Sequence, residues 1–162
     1  MLTLVLPSEI TEQIERALIR AGTREIGGLI MAEHVGTNRF IVRDVTINRR
    51  GTFASFVRRI QGVWSNLRQF FDQTKHDYTR FNYIGEWHSH PSFNPCPSTK
   101  DHSTMKEIIA DNTVGANFVV LLVVKLGAAQ SLIGTAHTYL PSGMHEESEV
   151  VIQRLLGCRS RK

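Results

Sequence analysis

A chain of 162 residues, 41% of them hydrophobic, can bury a sizeable core but is short for two independent domains. No apolar run reaches membrane-spanning length, and the opening MLTLVLPSEI has neither a basic region before its short apolar run nor a small-residue cleavage site, so a soluble, cytoplasmic chain with no membrane partner is expected. Lys+Arg 19 against Asp+Glu 15 gives a net +4, scattered over Arg49/Arg50, Arg58/Arg59, Arg159, Arg161 and Lys162, which reads as a solvated face in preference to a nucleic-acid surface.

In chain order, Leu2 to Leu6 reads as a short strand and Pro7 to Ala21 as a helix with Ile10, Ile14, Ala17 and Leu18 on its apolar stripe. Ile26 to Ala32 and Arg39 to Ile47 read as paired strands joined across a loop containing Gly36 and Asn38. Gln61 to Thr74 is a second helix, with Val63, Trp64, Leu67, Phe70 and Phe71 at helical spacing as a core stripe. The aromatic run Phe81 to Trp87 is a buried strand, Ser92 to Pro97 a proline-broken loop, and Ser98 the N-cap of a third helix. Asn117 to Val124 and Ser131 to Tyr139 are further strands, while Glu149 to Leu155 fits strand or helix. Cys96 and Cys158 lie far apart, in keeping with a reducing compartment. The order of elements predicts a single-domain α/β (α+β) fold, a mixed sheet flanked by helices.

The segment GEWHSHPSFNPCPSTKD holds the chemistry. On a strand, residues two apart share a face, so His88 and His90 can direct both imidazoles at one ion. Asp101 adds a carboxylate if the chain turns back after Pro91. Two imidazoles and one carboxylate make a three-ligand zinc site with a fourth position open, the arrangement of catalytic zinc. Ser98 and Asp101 also read as a plain helix capping box, and a capped helix start would hold a ligand carboxylate rigidly. Glu86 shares the strand face of His88, and spacing alone leaves it open as ligand, partner of an imidazole or general base. Cys96, between the ligands, could bind zinc but would close the site. Ser89, on the opposite strand face, reads as support. His102 is expected exposed on its helix, and His34, His76, His137 and His145 have no partners at ligand spacing.

The run His88-Ser89-His90, seven residues, Ser98, two residues, Asp101, with Glu25 just before the pair Gly27 and Gly28, resembles the signature of JAMM (JAB/MPN) metalloproteases. The resemblance implies a JAB/MPN-like fold over residues 1–162 and Zn2+ on His88, His90 and Asp101. It also implies Glu25 as general base and Ser98 as an oxyanion donor. The phrases REIGGLIMAEHVG, RRGTFASFVRR and HDYTRFNYIGEWHSHPS resemble more narrowly the JAB-domain proteases of bacterial CBASS antiphage operons. That likeness implies a deconjugating isopeptidase acting after the C-terminal residue of a cGAS/DncV-like nucleotidyltransferase. A ubiquitin-like activating and conjugating enzyme would join that protein to its targets. Residues Asn48 to Arg59 are expected to border the groove for the substrate's C-terminal tail, which could add there as a strand.

Two alternatives share the fold. A RadC-like protein, linked to DNA processes, also carries His-x-His-Pro and Ser-x-x-Asp, but Glu25 to Gly28 argue against it. A non-catalytic MPN scaffold would have lost ligands that are all present here. A zinc deaminase is excluded because Cys96 has no Cys-x-x-Cys partner.

Overall fold

The computed structural model describes residues 1–48, 60–112 and 114–154, the side chains of 60–64 excepted. Arg49, Arg50, Arg58, Arg59 and most of the expected tail groove therefore lie outside the described residues, as do Cys158 and the terminal basic residues. The elements are β1 (Thr3–Leu6), α1 (Ser8–Ala21), β2 (Gly27–Gly36), β3 (Arg39–Val45), α2 (Ile60–Gln73), β4 (Phe81–Ser89), α3 (Thr99–Ala110), β5 (Val119–Leu126), β6 (Leu132–Tyr139) and β7 (His145–Ile152). The mixed sheet and three helices fit the expected α/β class. Of the segment Glu149 to Leu155 that suited either helix or strand, Glu149 to Ile152 belong to β7 and Leu155 lies outside the described residues.

The sheet runs β1-β3-β2-β4-β5-β6-β7 and closes on itself, because β1 pairs in parallel with both β3 and β7. The β4–β5 pair is also parallel; the remaining pairs are antiparallel. Closure was not foreseen from the sequence. It depends on Thr3 to Leu6 meeting Glu149 to Ile152, a pairing between the two ends of the chain that local pattern does not encode.

Helices cover both faces of the sheet. The predicted stripe of α1, Ile10, Ile14, Ala17 and Leu18, packs with Leu4, Leu6, Ile30, Trp87, Val120 and Leu122 in the main core. Burial of each such side chain contributes roughly 1.5–3 kcal/mol. On the other face, Met105, Ile108 and Ile109 of α3 lie on Val119, Leu121, Val123 and Tyr139. Phe70 of α2 packs on Leu29 and Met31. Because β5 is covered on both sides, Val119 to Val124 are all buried, which is why that segment is continuously apolar instead of alternating.

The strand that carries the histidines is irregular. Ile30 pairs with Gly85 but Met31 with Tyr83, so β4 has one extra residue at Ile84. Gly85 sits at φ +152, and a Cβ there would run into the backbone of Val120. This bulge shifts the alternation by one. Tyr83, Glu86 and His88 consequently share a face that strict alternation would deny to residues 83 and 86.

Candidate metal centre

His88 is buried near the C-terminal end of β4, and His90 follows immediately after the strand. The chain then turns through the proline-rich loop, which is tied down at several points. The His90 amide donates to the Val124 carbonyl, Lys125 Nζ to the Phe93 carbonyl, and Thr135 Oγ1 to the Pro95 carbonyl. The loop delivers Ser98 as the N-cap of α3. There the capping box is complete: Ser98 Oγ accepts from the Asp101 amide at 3.2 Å, and the Ser98 amide donates to Asp101 Oδ2 at 2.7 Å. The capping and ligand readings thus coincide in one carboxylate.

These two supports bring His88, His90 and Asp101 together, with one potential ligand atom from each within 4.8 Å of the others. The two Nε2 atoms are 3.0 Å apart, and Asp101 Oδ2 is 3.5 Å from that of His88 and 3.7 Å from that of His90. Zinc bonds of about 2.0–2.2 Å in a tetrahedron place ligand atoms roughly 3.3–3.6 Å apart, so the triangle has the size the ion needs. The proton arrangement agrees. His90 Nδ1 lies 3.2 Å from the Asn94 carbonyl, which can only accept, so the proton resides on Nδ1 and the Nε2 lone pair faces the cluster. A lone pair 3.0 Å from another imidazole nitrogen calls for a proton or a metal ion between them.

Asp101 is held in its charged form. Burial pulls its carboxyl upward, but hydrogen bonds from His88, the Ser98 hydroxyl and the Ser98 amide outweigh that and keep it well below the usual carboxylate range. Donor types, spacing and charge all fit a divalent ion such as zinc.

A cleft of about 330 Å³ opens onto the cluster and is also lined by Glu25, Ser98, Glu86, Phe93 and Lys100. Glu25 is exposed just ahead of β2. Its position relative to the ligands is fixed through its neighbour: the Ile26 amide donates to Ser89 Oγ, and the Ser89 amide donates to the Ile26 carbonyl. Ser89 therefore acts as a brace between β2 and β4 on the face away from the ligands. The glycine pair serves the same join. A Cβ on Gly27 would meet the Trp87 carbonyl, and one on Gly28 would occupy the space of the Thr46 carbonyl. That Thr46 oxygen accepts from the buried Trp87 indole at 2.9 Å, and Thr46 Oγ1 accepts from the Leu29 amide.

Ser98 lines the cleft, but its single hydroxyl proton goes to Asp101 Oδ2 at 2.7 Å. Glu86 is not one of the clustered ligands. It is 2% exposed, and its Oε2 has no hydrogen-bond partner among the described residues. Burial pushes its carboxyl up to about 8, opposed by a hydrogen bond with Tyr83. Cys96 is exposed in the loop and outside the cluster. Phe93 and Lys100 were not singled out from sequence; Phe93, 69% exposed, is an aromatic side chain standing in solvent at the cleft. His102 departs from the exposed position expected of it, since its Nδ1 is 2.8 Å from the hydroxyl of buried Tyr139. Among the described residues, no helix is long and apolar enough to cross a membrane.

A family model described as prokaryotic homologs of the JAB domain matches residues 7–138. Over 114 residues the chain is 27% identical to a CD-NTase/cGAS isopeptidase of Enterobacter hormaechei subsp. hoffmannii (strain UCI 50), in an alignment that covers 68% of this chain and 60% of that protein. The chain thus spans less than two thirds of that relative's length. The solution structure of a protein from Desulfitobacterium hafniense matches at a TM-score of 0.61 and 16% identity, covering 98% of this chain and 99% of that one, a likeness of fold.

Proposed function

The chain belongs to the prokaryotic JAB-domain family, and on that footing we propose that it is a zinc-dependent isopeptidase or peptidase that removes a conjugated protein from its targets. Residues 1–162 form one such domain in this reading. The observation that carries it is the convergence of His88, His90 and Asp101 in a cleft that Glu25 and Ser98 also line.

His88, His90 and Asp101 would hold the ion. Zinc in such a site polarises a carbonyl and brings the pKa of water down to about 7. Glu25 is the general base: an exposed carboxylate at the cleft can take a proton from the attacking water and return it to the leaving amine, a contribution of typically about 10²–10⁴-fold. Ser98 is the oxyanion donor, and it reaches that role by exchanging its bond to Asp101 for one to the substrate oxygen. Phe93 offers an apolar surface to the tail that enters.

The substrate we assign is the C-terminal tail of a cGAS/DncV-like nucleotidyltransferase, cut after its last residue, in cytoplasmic antiphage defence of the CBASS type. The name of the Enterobacter relative supports this. The conjugation would be made by a ubiquitin-like activating and conjugating enzyme of the same operon.

The test is intact-mass analysis of a nucleotidyltransferase bearing a C-terminal fusion after incubation with zinc-loaded protein. A single cut after the native C-terminal residue is expected, absent with chelator and with Glu25→Ala, whose fold and metal content stay near wild type. Zinc bound in a folded wild type that cuts no fused or conjugated nucleotidyltransferase would overturn the substrate assignment. Failure on unrelated ubiquitin-like conjugates as well would leave a scaffold.

A further inference from the structure

A second group of imidazoles meets on the α3 side of the sheet. His102 lies in the first turn of α3, His137 on β6 and His145 at the start of β7. The ring centroids of His102 and His145 are 4.6 Å apart, and those of His102 and His137 are 5.7 Å apart. Two imidazoles on one tetrahedral ion, with metal–nitrogen bonds of about 2.0–2.1 Å, have centroids roughly 5 Å apart. The molecule supplies its own yardstick. His88 and His90, with Nε2 atoms 3.0 Å apart, have centroids at 4.7 Å and planes at 49°, while His102 and His145 stand at 4.6 Å and 47°.

The surroundings suit ligands better than packing. Tyr139, the cross-strand partner of His145, stacks on its ring, and the Tyr139 hydroxyl lies 2.8 Å from His102 Nδ1. That bond orients the His102 ring and leaves its Nε2 available, as partners of metal-bound histidines do. The Nδ1 of His137 is buried with no hydrogen-bond partner among the described residues. A buried polar atom left in that condition is costly. Directly across the ladder from His137 stands the carboxylate of Glu147. The nearby cation is Lys106, one turn beyond His102. Histidine and aromatic stacking alone accounts for the rings but not for the orphaned nitrogen.

We propose that His102, His137 and His145 form a second site for a divalent transition-metal ion of the zinc or nickel type, with Glu147 beside it, distinct from the cluster of His88, His90 and Asp101. Its ligand atoms are not drawn together as closely as those of the first cluster. Binding therefore includes rotation of the exposed His145 ring. Imidazole donors select zinc, nickel, copper or cobalt over magnesium or calcium. Asp101 and His102 are consecutive, so an ion at the second site fastens to β6 and β7 the same helical turn that presents Asp101 to the first.

The test is metal stoichiometry of the whole chain after loading with zinc or nickel, read by elemental analysis, with affinities from competition against a chromophoric chelator. Wild type is expected to hold two ions. His145→Ala and the double variant His137→Ala/His145→Ala should hold one, with the second affinity weakened at least tenfold and an unchanged circular dichroism spectrum. The double variant His88→Ala/His90→Ala should also hold one, which places that ion away from the candidate catalytic centre and leaves the result independent of any activity. Saturation of wild type at one ion, or two ions retained by His137→Ala/His145→Ala, overturns the proposal.

Discussion

Ser98 carries two separable tasks, and substitution distinguishes them. In the folded protein its Oγ accepts from the Asp101 amide at 3.2 Å and donates to Asp101 Oδ2 at 2.7 Å. Ser98→Ala removes both bonds and leaves the Ser98 amide, at 2.7 Å, and His88 on that carboxylate. Loss of an N-cap typically costs about 1 kcal/mol. A bond to a charged acceptor contributes about 1.5–3 kcal/mol when well shielded. Ser98 is exposed, so the second figure is discounted and a total of about 1–2 kcal/mol is expected. The loss depends on pH. Because the Asp101 carboxyl is held low in the folded state, its bonds stabilise the fold above the unfolded value of about 3.9 and are lost as pH falls through the folded value. Urea unfolding of metal-free protein should show the difference between wild type and variant holding from pH 7 down to pH 3 and shrinking only in more acid solution, because the folded carboxyl is held well below the usual range. Ser98→Gly keeps most of the cap, at a cost of about a few tenths of a kcal/mol, and offers no side-chain donor. If Ser98 also serves the oxyanion, Ser98→Gly regains part of the stability while kcat for tail cleavage stays about 10²–10³-fold down. Full activity in a stable Ser98→Gly protein would refute the oxyanion role and reduce Ser98 to a cap.

Other substitutions probe the frame around the site. His88→Ala should lose tightly bound metal and tail cleavage together, and a chelator should reproduce the activity loss in wild type; an active, metal-free His88→Ala protein would sink the assignment. Gly28→Ala must displace the Thr46 carbonyl that accepts from the Trp87 indole, and a loss of at least about 2 kcal/mol in denaturant unfolding is expected, of the size seen when buried polar groups lose partners. Glu33 is buried between Arg43 and Arg80. Burial raises its carboxyl, but the two arginines more than offset this and lower it, so its contribution is present above about pH 4.5 and fades as pH falls further. Glu33→Gln should therefore cost about 1–3 kcal/mol at pH 7, less than a fully buried pair because both arginines are partly exposed, and distinctly less at pH 3 in the same unfolding assay.

The parts legible in the sequence are those set by local spacing. The stripe of α1 could be read because Ile10, Ile14, Ala17 and Leu18 recur at helical period, and they are buried together. The convergence of His88, His90 and Asp101 could be read because strand alternation and helix capping are short-range rules. Closure of the sheet was not legible, since β1 meets β7 across nearly the whole chain. Nor was the grouping of His102, His137 and His145, which three separate elements bring together. Counting along the chain, Tyr83 and Glu86 belong on opposite faces, and only the extra residue at Ile84 aligns them. A glycine within an apolar strand run signals a bulge or a close backbone approach, and Gly85 supplies both.

That bulge explains how a strand buried in the sheet can present a polar site at all. At the bulge itself Ile84 points into the core shared with α1; downstream, Trp87 returns to the same core while Glu86 and His88 take the opposite face. Both covalent routes into the cluster then start from rigid structure. One is β4, hydrogen-bonded on both sides to β2 and β5; the other is the capped start of α3. Ligands held by such elements need little reordering when an ion binds, so the entropy of arranging them is met during folding. Glu25 differs, being exposed before β2 and braced through its neighbours, Ile26 on Ser89 and Arg24 on Ala21. Ser89→Ala should accordingly leave metal affinity near wild type, because the ligands have their own supports, while lowering kcat through a less well-placed Glu25. Equal loss of metal and turnover in that variant would show that the brace serves the ligands instead.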